Sequence, residues 1–205
     1  MHIFHSFVQQ NRGFMINNLA ILASGNGSNA ENIAQYFAND PDVRVKLILT
    51  NSQKAFALQR ARKMGIPCAY FSKEFWQDGR VILNLFHSMD ITFVVLAGFL
   101  AKVPDIILQA YPQKMVNIHP SLLPLHGGKG MYGDRVHEDV LRCGDQESGI
   151  TIHYTSEVYD AGQIVAQYKC EVKPNDTSET LATRVHALEY EYYPKVIEGL
   201  LRGSL

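Results

Sequence analysis

From Asn18 the chain alternates continuous apolar runs with stretches of helical periodicity. "LAILAS" (19–24) is an unbroken apolar run bounded by glycine, the pattern of a strand buried on both faces. "NAENIAQYFAN" follows with helical spacing, and Ser28 or Asn29 stands where a first-turn cap is needed. "RVKLILT" (44–50) predicts a second strand, and "AFALQRARKMG" predicts a helix closed by Gly65. A short third strand is predicted at 67–71, a helix over 73–89 despite Gly79, a fourth strand at 92–98 and a fifth at 115–119. Strands that alternate with helices imply right-handed crossovers and a mostly parallel sheet.

Beyond residue 120 the pattern changes. A glycine-rich loop, "LPLHGGKGMYG", leads into a predicted helix, "DRVHEDVLRCG". "GITIHYTS" (149–156) and "QIVAQYKCEV" (163–172) then follow each other across a polar turn, with partial period-two alternation. They predict an antiparallel pair added to the parallel sheet. A long helix is predicted from 177, opened by a capping box of Thr177 or Ser178 with a following acid, and kinked or broken at Pro194. No repeat or linker interrupts this order, so 15–205 reads as a single three-layer α/β domain. Residues 1–14 read as an extension or an upstream start.

Composition narrows the function classes. Of 205 residues, 46% are hydrophobic and 19% charged, which supplies a large core. The formal net charge of −1, without a basic tract, gives no footprint for nucleic acid or an anionic membrane. No apolar run reaches the roughly 20 residues of a membrane helix, and 1–14 lacks the layout of a signal peptide. Cys68, Cys143 and Cys170 are odd in number and far apart, which favours a reducing compartment, the cytoplasm, over a disulfide framework or zinc site. His126, His137, His153 and His186 show no metal-ligand spacing, so no metal is expected.

Four stretches carry candidate chemistry. "ASGNGSN" (23–29) sits at a strand-to-helix junction. There glycines allow a tight turn, and a helix N-terminus offers unpaired N–H groups to a phosphate. It is neither the dinucleotide fingerprint nor a Walker loop, and a glycine turn serving chain geometry alone fits it equally well. "VNIHPSLLP" (116–124) places Asn117 and His119 two apart at a strand end, on one face, where open α/β sheets bind ligands. A structural histidine before a proline turn is the competing reading. "EVYDAGQIV" carries Asp160 ahead of Gly162, a pattern that on its own reads first as a hairpin turn; only if that turn folds over the sheet end does it bring a carboxylate to His119 and raise its pKa. "LAGFLAKVP" (96–104) is either a wall for a flat aromatic ligand or an ordinary connecting loop.

Taken together, "SGNGSN", "VVLAGF", "NIHPSLLP" and "GITIHYTSEVYDAG" resemble the phosphoribosylglycinamide formyltransferase family, in its order and approximate spacing, over nearly the whole chain from Met15. The resemblance implies a Rossmann-like, mostly parallel sheet with an antiparallel C-terminal extension. It also implies transfer of a formyl group from 10-formyltetrahydrofolate to the amine of glycinamide ribonucleotide, with small-molecule partners and a monomer or homodimer. Carried over by motif, Gly27, Ser28 and Asn29 would hold the phosphate, with Glu189 and His186 also at the ribonucleotide. Asn117, His119 and Asp160 would be the catalytic trio. Leu100, Ala101, Lys102 and Val103 would line the folate pocket together with Ser156, Glu157, Val158, Tyr159, Asp160 and Asn117, and Lys73 would meet the folate tail. Two stretches depart from the family pattern. Leu100-Ala101 replace Met-Arg after "AGF", and the 125–138 loop differs, although His137 aligns with the family's loop histidine.

The mechanism expected from this trio has the Asn117 amide and a protonated His119 facing an oxyanion, with Asp160 keeping His119 protonated near neutral pH. The nearest alternatives are the formyltetrahydrofolate hydrolase, with a further N-terminal domain for which 1–14 leaves no room, and methionyl-tRNA formyltransferase, with a basic C-terminal domain. A nucleotide-binding regulatory module is the non-catalytic alternative, and it has no need of a proton donor over an oxyanion site.

Overall fold

The computed structural model describes residues 16–205, so the expectation for 1–14 lies outside the described residues. Five strands run parallel: β1 (Asn17–Leu22), β2 (Val43–Thr50), β3 (Cys68–Tyr70), β4 (Phe93–Leu96) and β5 (Met115–His119). Two more extend the sheet to the order β3-β2-β1-β4-β5-β6-β7: β6 (Glu147–Tyr154) pairs antiparallel with β5, and β7 (Ile164–Glu171) antiparallel with β6. Chain order reverses between β1 and β4, the switch point at which loops diverge and leave a crevice at the carboxyl ends.

The apolar runs of β1 and β4 divide by residue parity. Leu19 and Ile21, with Phe93 and Val95, face one core; Ala20 and Leu22, with Val94 and Leu96, face the other. Helices α1 (Ser28–Tyr36), α2 (Ala57–Lys63), α6 (Asp134–Cys143) and α7 (Ser178–Arg202) cover the first core. The second is covered by α3 (Lys73–Asp78), α4 (Arg80–Ser88) and α5 (Asp105–Ala110). Three layers result, as the alternation predicts. Tyr193 of α7, fully buried, donates its hydroxyl to the carbonyls of Leu96 (2.9 Å) and Val116 (3.2 Å), fixing that helix to the central strands.

Several local features differ from the sequence expectation. Gly27, at φ +75°, occupies the cap position of α1 without a side-chain cap, so Ser28 and Asn29 lie inside the helix. A Cβ at Gly27 would stand 2.6 Å from that of Ala57, so close packing of α1 against α2 requires glycine. Gly79 at φ +76° divides the 73–89 stretch into α3 and α4. The six-residue α5 is too short to show a periodic pattern. The capping box of α7 uses Thr180, not an acid: its hydroxyl accepts from the Thr177 N–H at 2.9 Å. Pro194 does not break α7. Proline removes one N–H from the helix ladder, and the carbonyl four residues back, of Tyr190, accepts instead from the Asn32 amide at 2.9 Å.

Candidate active site

β5 ends at His119, with Asn117 on the same face, and β6 runs beside it with Asn117 opposite His153. The Asn117 amide donates to His153 Nε2 at 3.1 Å, while His153 donates from Nδ1 to the Tyr154 carbonyl at 2.9 Å. Asp160 enters from the turn between β6 and β7, with its backbone held at φ +53°. Its Oδ2 lies 3.5 Å from His119 Nδ1, and its Oδ1 lies 3.6 Å from His153 Nε2. The Gly128 N–H donates to Oδ2 at 2.8 Å. Two glycines permit this convergence. A Cβ at Gly162 would fall 1.6 Å from the Tyr154 carbonyl oxygen, and one at Gly127 would meet Leu123 at 2.4 Å.

The other nitrogen of His119, Nε2, is 2.8 Å from the carbonyl of His126. A carbonyl only accepts, so Nε2 carries the hydrogen and Nδ1 is the titrating nitrogen, facing Asp160. Burial lowers the pKa of His119; Asp160 and the His126 carbonyl oppose that without overcoming it. The resting imidazole is therefore neutral at pH 7, contrary to the protonated His119 expected from the trio alone. A carboxylate beside an imidazole favours the cation, but at 3% exposure the loss of water counts for more. The Asp160 pKa is itself below the ordinary value: burial raises it, but His153, His119 and the Gly128 N–H together outweigh burial.

One cavity of about 340 Å³ contains Asn117, His119 and Asp160. Its walls bring in Leu100, Ala101, Lys102 and Val103 on one side and Ser156, Glu157, Val158 and Tyr159 on the other. The glycine loop, 128–132, forms a third side, with Lys129, Gly130 and Tyr132 exposed. Lys73 lies elsewhere, on a neighbouring hollow of about 580 Å³ that shares Ala101, Lys102 and Val103 with the first. The Leu100 N–H is already donated to Ser24 Oγ at 2.8 Å, tying this wall to the loop after β1.

Gly27, Ser28, Asn29, His186 and Glu189 do not line that cavity; they group at the seam of α1 and α7. Asn29 donates its amide to Glu189 Oε2 at 2.8 Å, leaving its own Oδ1 buried without a partner among the described residues. Burial raises the pKa of Glu189, while Asn29 and His186 oppose the shift. His137, buried in α6, faces the exposed His186 with ring centroids 6.5 Å apart, and its Nδ1 has no partner among the described residues. Burial, reinforced by His186, pushes the His137 pKa down to about 4.

His126, Asp139 and Cys143 offer ligand atoms within 4.8 Å of one another. Both ring nitrogens of His126 are already bonded to carboxylates, Nδ1 to Asp139 and Nε2 to Asp145, each at 2.6 Å. Asp139 also pairs with Arg142. The group is a closed charge network, not a set of lone pairs open to a cation.

The model of a family described as formyl transferase matches residues 17–197, the whole sheet and most of α7. The chain belongs to the formyl transferase family. A phosphoribosylglycinamide formyltransferase of Bacillus subtilis is 35% identical over 187 residues, covering 89% of this chain and 93% of the relative. The chloroplastic phosphoribosylglycinamide formyltransferase of Arabidopsis thaliana is 40% identical over 189 residues. This chain spans 64% of that protein's length and 60% of its Vigna unguiculata counterpart. The crystal structure of phosphoribosylglycinamide formyltransferase from Anaplasma phagocytophilum superimposes with a TM-score of 0.83 at 31% identity, covering 92% of this chain and 88% of that one. That from Bacillus halodurans gives 0.82 at 34% identity, with 92% and 97% covered.

In this member of the family, sequence alone does not single out His153, although it contacts both Asn117 and Asp160. Its signal was present in the alternation of "GITIHYTS", but placing it required the β5–β6 register. His126 and Gly128 act through backbone atoms, which residue type does not reveal.

Proposed function

We propose that this formyl transferase moves the formyl group of 10-formyltetrahydrofolate onto the amine of glycinamide ribonucleotide, the reaction of purine synthesis implied by its relatives' names. The observation that carries the reading is the convergence of Asn117, His119 and Asp160 in one cavity beside the 100–103 wall. The wall and the 156–159 turn would hold the folate, with Lys73 across the shared segment at its tail. The seam of Asn29, Glu189 and His186, with the N–H groups that open α1, would hold the ribonucleotide.

The amine attacks the formyl carbon, and the carbonyl oxygen becomes an oxyanion. The Asn117 amide spends one hydrogen on His153 and retains a second for that oxyanion. One such donor is worth on the order of 3 kcal/mol in the transition state. Neutral His119 takes the proton released by the attacking nitrogen onto Nδ1, where the Asp160 carboxylate at 3.5 Å stabilises the new imidazolium. The same proton then passes to the departing folate nitrogen, and the carbon–nitrogen bond to the folate breaks. Holding both substrates in adjoining sites supplies an entropic advantage. The three free cysteines support a reducing compartment such as the cytoplasm.

The test is tetrahydrofolate release followed by absorbance, with and without glycinamide ribonucleotide. Release that requires the ribonucleotide supports the proposal; release without any amine indicates hydrolysis and defeats it.

A further inference from the structure

His126 stands one hydrogen bond from the reacting imidazole. Its carbonyl accepts His119 Nε2–H, and its own backbone lies at φ +54°, a left-handed conformation that a residue with a Cβ holds only with outside support. Support comes from the ring. With carboxylate oxygens 2.6 Å from both nitrogens, both nitrogens act as donors and the ring is an imidazolium. Burial opposes that charge, yet the hydrogen bonds to Asp139 and Asp145 raise the His126 pKa above its ordinary value. Asp139 is rooted in α6 and paired with Arg142; Asp145 follows the glycine that ends the same helix. Among the described residues the further titratable groups around it are Cys143 on α6, Glu147 at the start of β6, which lines the same hollow, and His119 itself.

Two acceptors compete for the single hydrogen of neutral His119. The His126 carbonyl draws it to Nε2, whereas Asp160 would draw it to Nδ1. Only the first tautomer leaves a lone pair on Nδ1 beside Asp160. We propose that His126 is a positioning residue for the formyl transfer described above: the two-aspartate clamp on its ring holds the 126 carbonyl against His119 Nε2 and so selects the tautomer able to take up the proton. The inference rests on that reading of the reaction, but the tautomer itself does not.

The experiment uses the full chain with isotope-labelled histidine and reads the His119 tautomer by nitrogen NMR, without substrates, in wild type and His126→Gln. The wild type is expected to carry hydrogen on Nε2 and the variant to shift toward Nδ1. In the transfer assay the variant should lose about tenfold in kcat, as one well-placed hydrogen bond implies, with both KM values changed by less than about twofold. His126→Arg, a planar cation able to reach both aspartates, should restore the wild-type tautomer and most of kcat. Should His126→Gln fail to fold, Asp145→Asn, which removes one acceptor, is read the same way. An unchanged tautomer, or a changed tautomer with unchanged kcat, overturns the proposal. A wild type with the expected tautomer but no transfer activity would instead count against the proposed reaction.

Discussion

Asp160 Oδ2 lies 3.5 Å from His119 Nδ1 while accepting the Gly128 N–H at 2.8 Å. The carboxylate is therefore held by the backbone, and it faces the imidazole as a preset counter-charge.

Replacing Asp160 with Asn keeps an acceptor for Gly128 but removes the strongest influence that raises the His119 pKa. With neutral His119 as the proposed base, kcat should be lost as pH falls through a pKa already below 6.5. In the variant the acid limb of the pH–rate profile should move to still lower pH. The plateau should drop by roughly 100-fold, because the imidazolium loses its counter-charge. Full profiles of both proteins check the shift and the drop together.

His137 predicts a stability effect distinct from catalysis. Its folded pKa of about 4 is depressed from 6.5, so its contribution is complete above 6.5 and is lost as pH falls toward 4. The loss should reach on the order of 3 kcal/mol for that shift. Urea unfolding at neutral and acid pH should show a smaller difference for His137→Leu than for wild type by about that amount.

Asn29→Ala removes the amide held at 2.8 Å from the buried Glu189 carboxylate. The KM for the ribonucleotide should rise by roughly tenfold with a smaller change in kcat, since the lost contact is made in ground and transition states alike. An unchanged KM would remove Asn29 from the ribonucleotide site.

Gly162→Ala would drive a Cβ to 1.6 Å from the Tyr154 carbonyl oxygen. The β6–β7 turn must then open, costing about 3 kcal/mol of stability and displacing Asp160. A lowered urea midpoint together with lowered kcat is the expected result, and urea unfolding and kinetics on the same preparation check it.

Much of the architecture was legible because burial on both sides of a strand leaves a continuous apolar run. The parity of 19–22 and 93–96 even anticipates two separate cores. Asn117 and His119 were legible for a related reason: a strand end puts residues two apart on one face. What escaped depends on distant partners. Pro194 stays within α7 because Asn32, far away in the chain, caps the freed carbonyl of Tyr190. His153 joins the site through strand register, and His126 through its carbonyl. The neutral state of His119 follows from burial, a tertiary property that the spacing of Asp160 does not carry. Lys73 was assigned to the folate tail by motif alone, and it lies on the adjoining hollow, which shares Ala101, Lys102 and Val103 with the catalytic cavity.

Central to the proposed reaction is direct passage of a formyl group to an amine while His119, flanked by Asn117 and Asp160, carries the proton. The most direct measurement is single-turnover transfer of an isotope-labelled formyl group from 10-formyltetrahydrofolate, with label counted on glycinamide ribonucleotide for wild type and His119→Gln. Label should appear on the ribonucleotide with wild type and at a rate lower by at least about 100-fold with the variant. Equal rates in the two proteins, or label released as free formate by the wild type, would contradict the account.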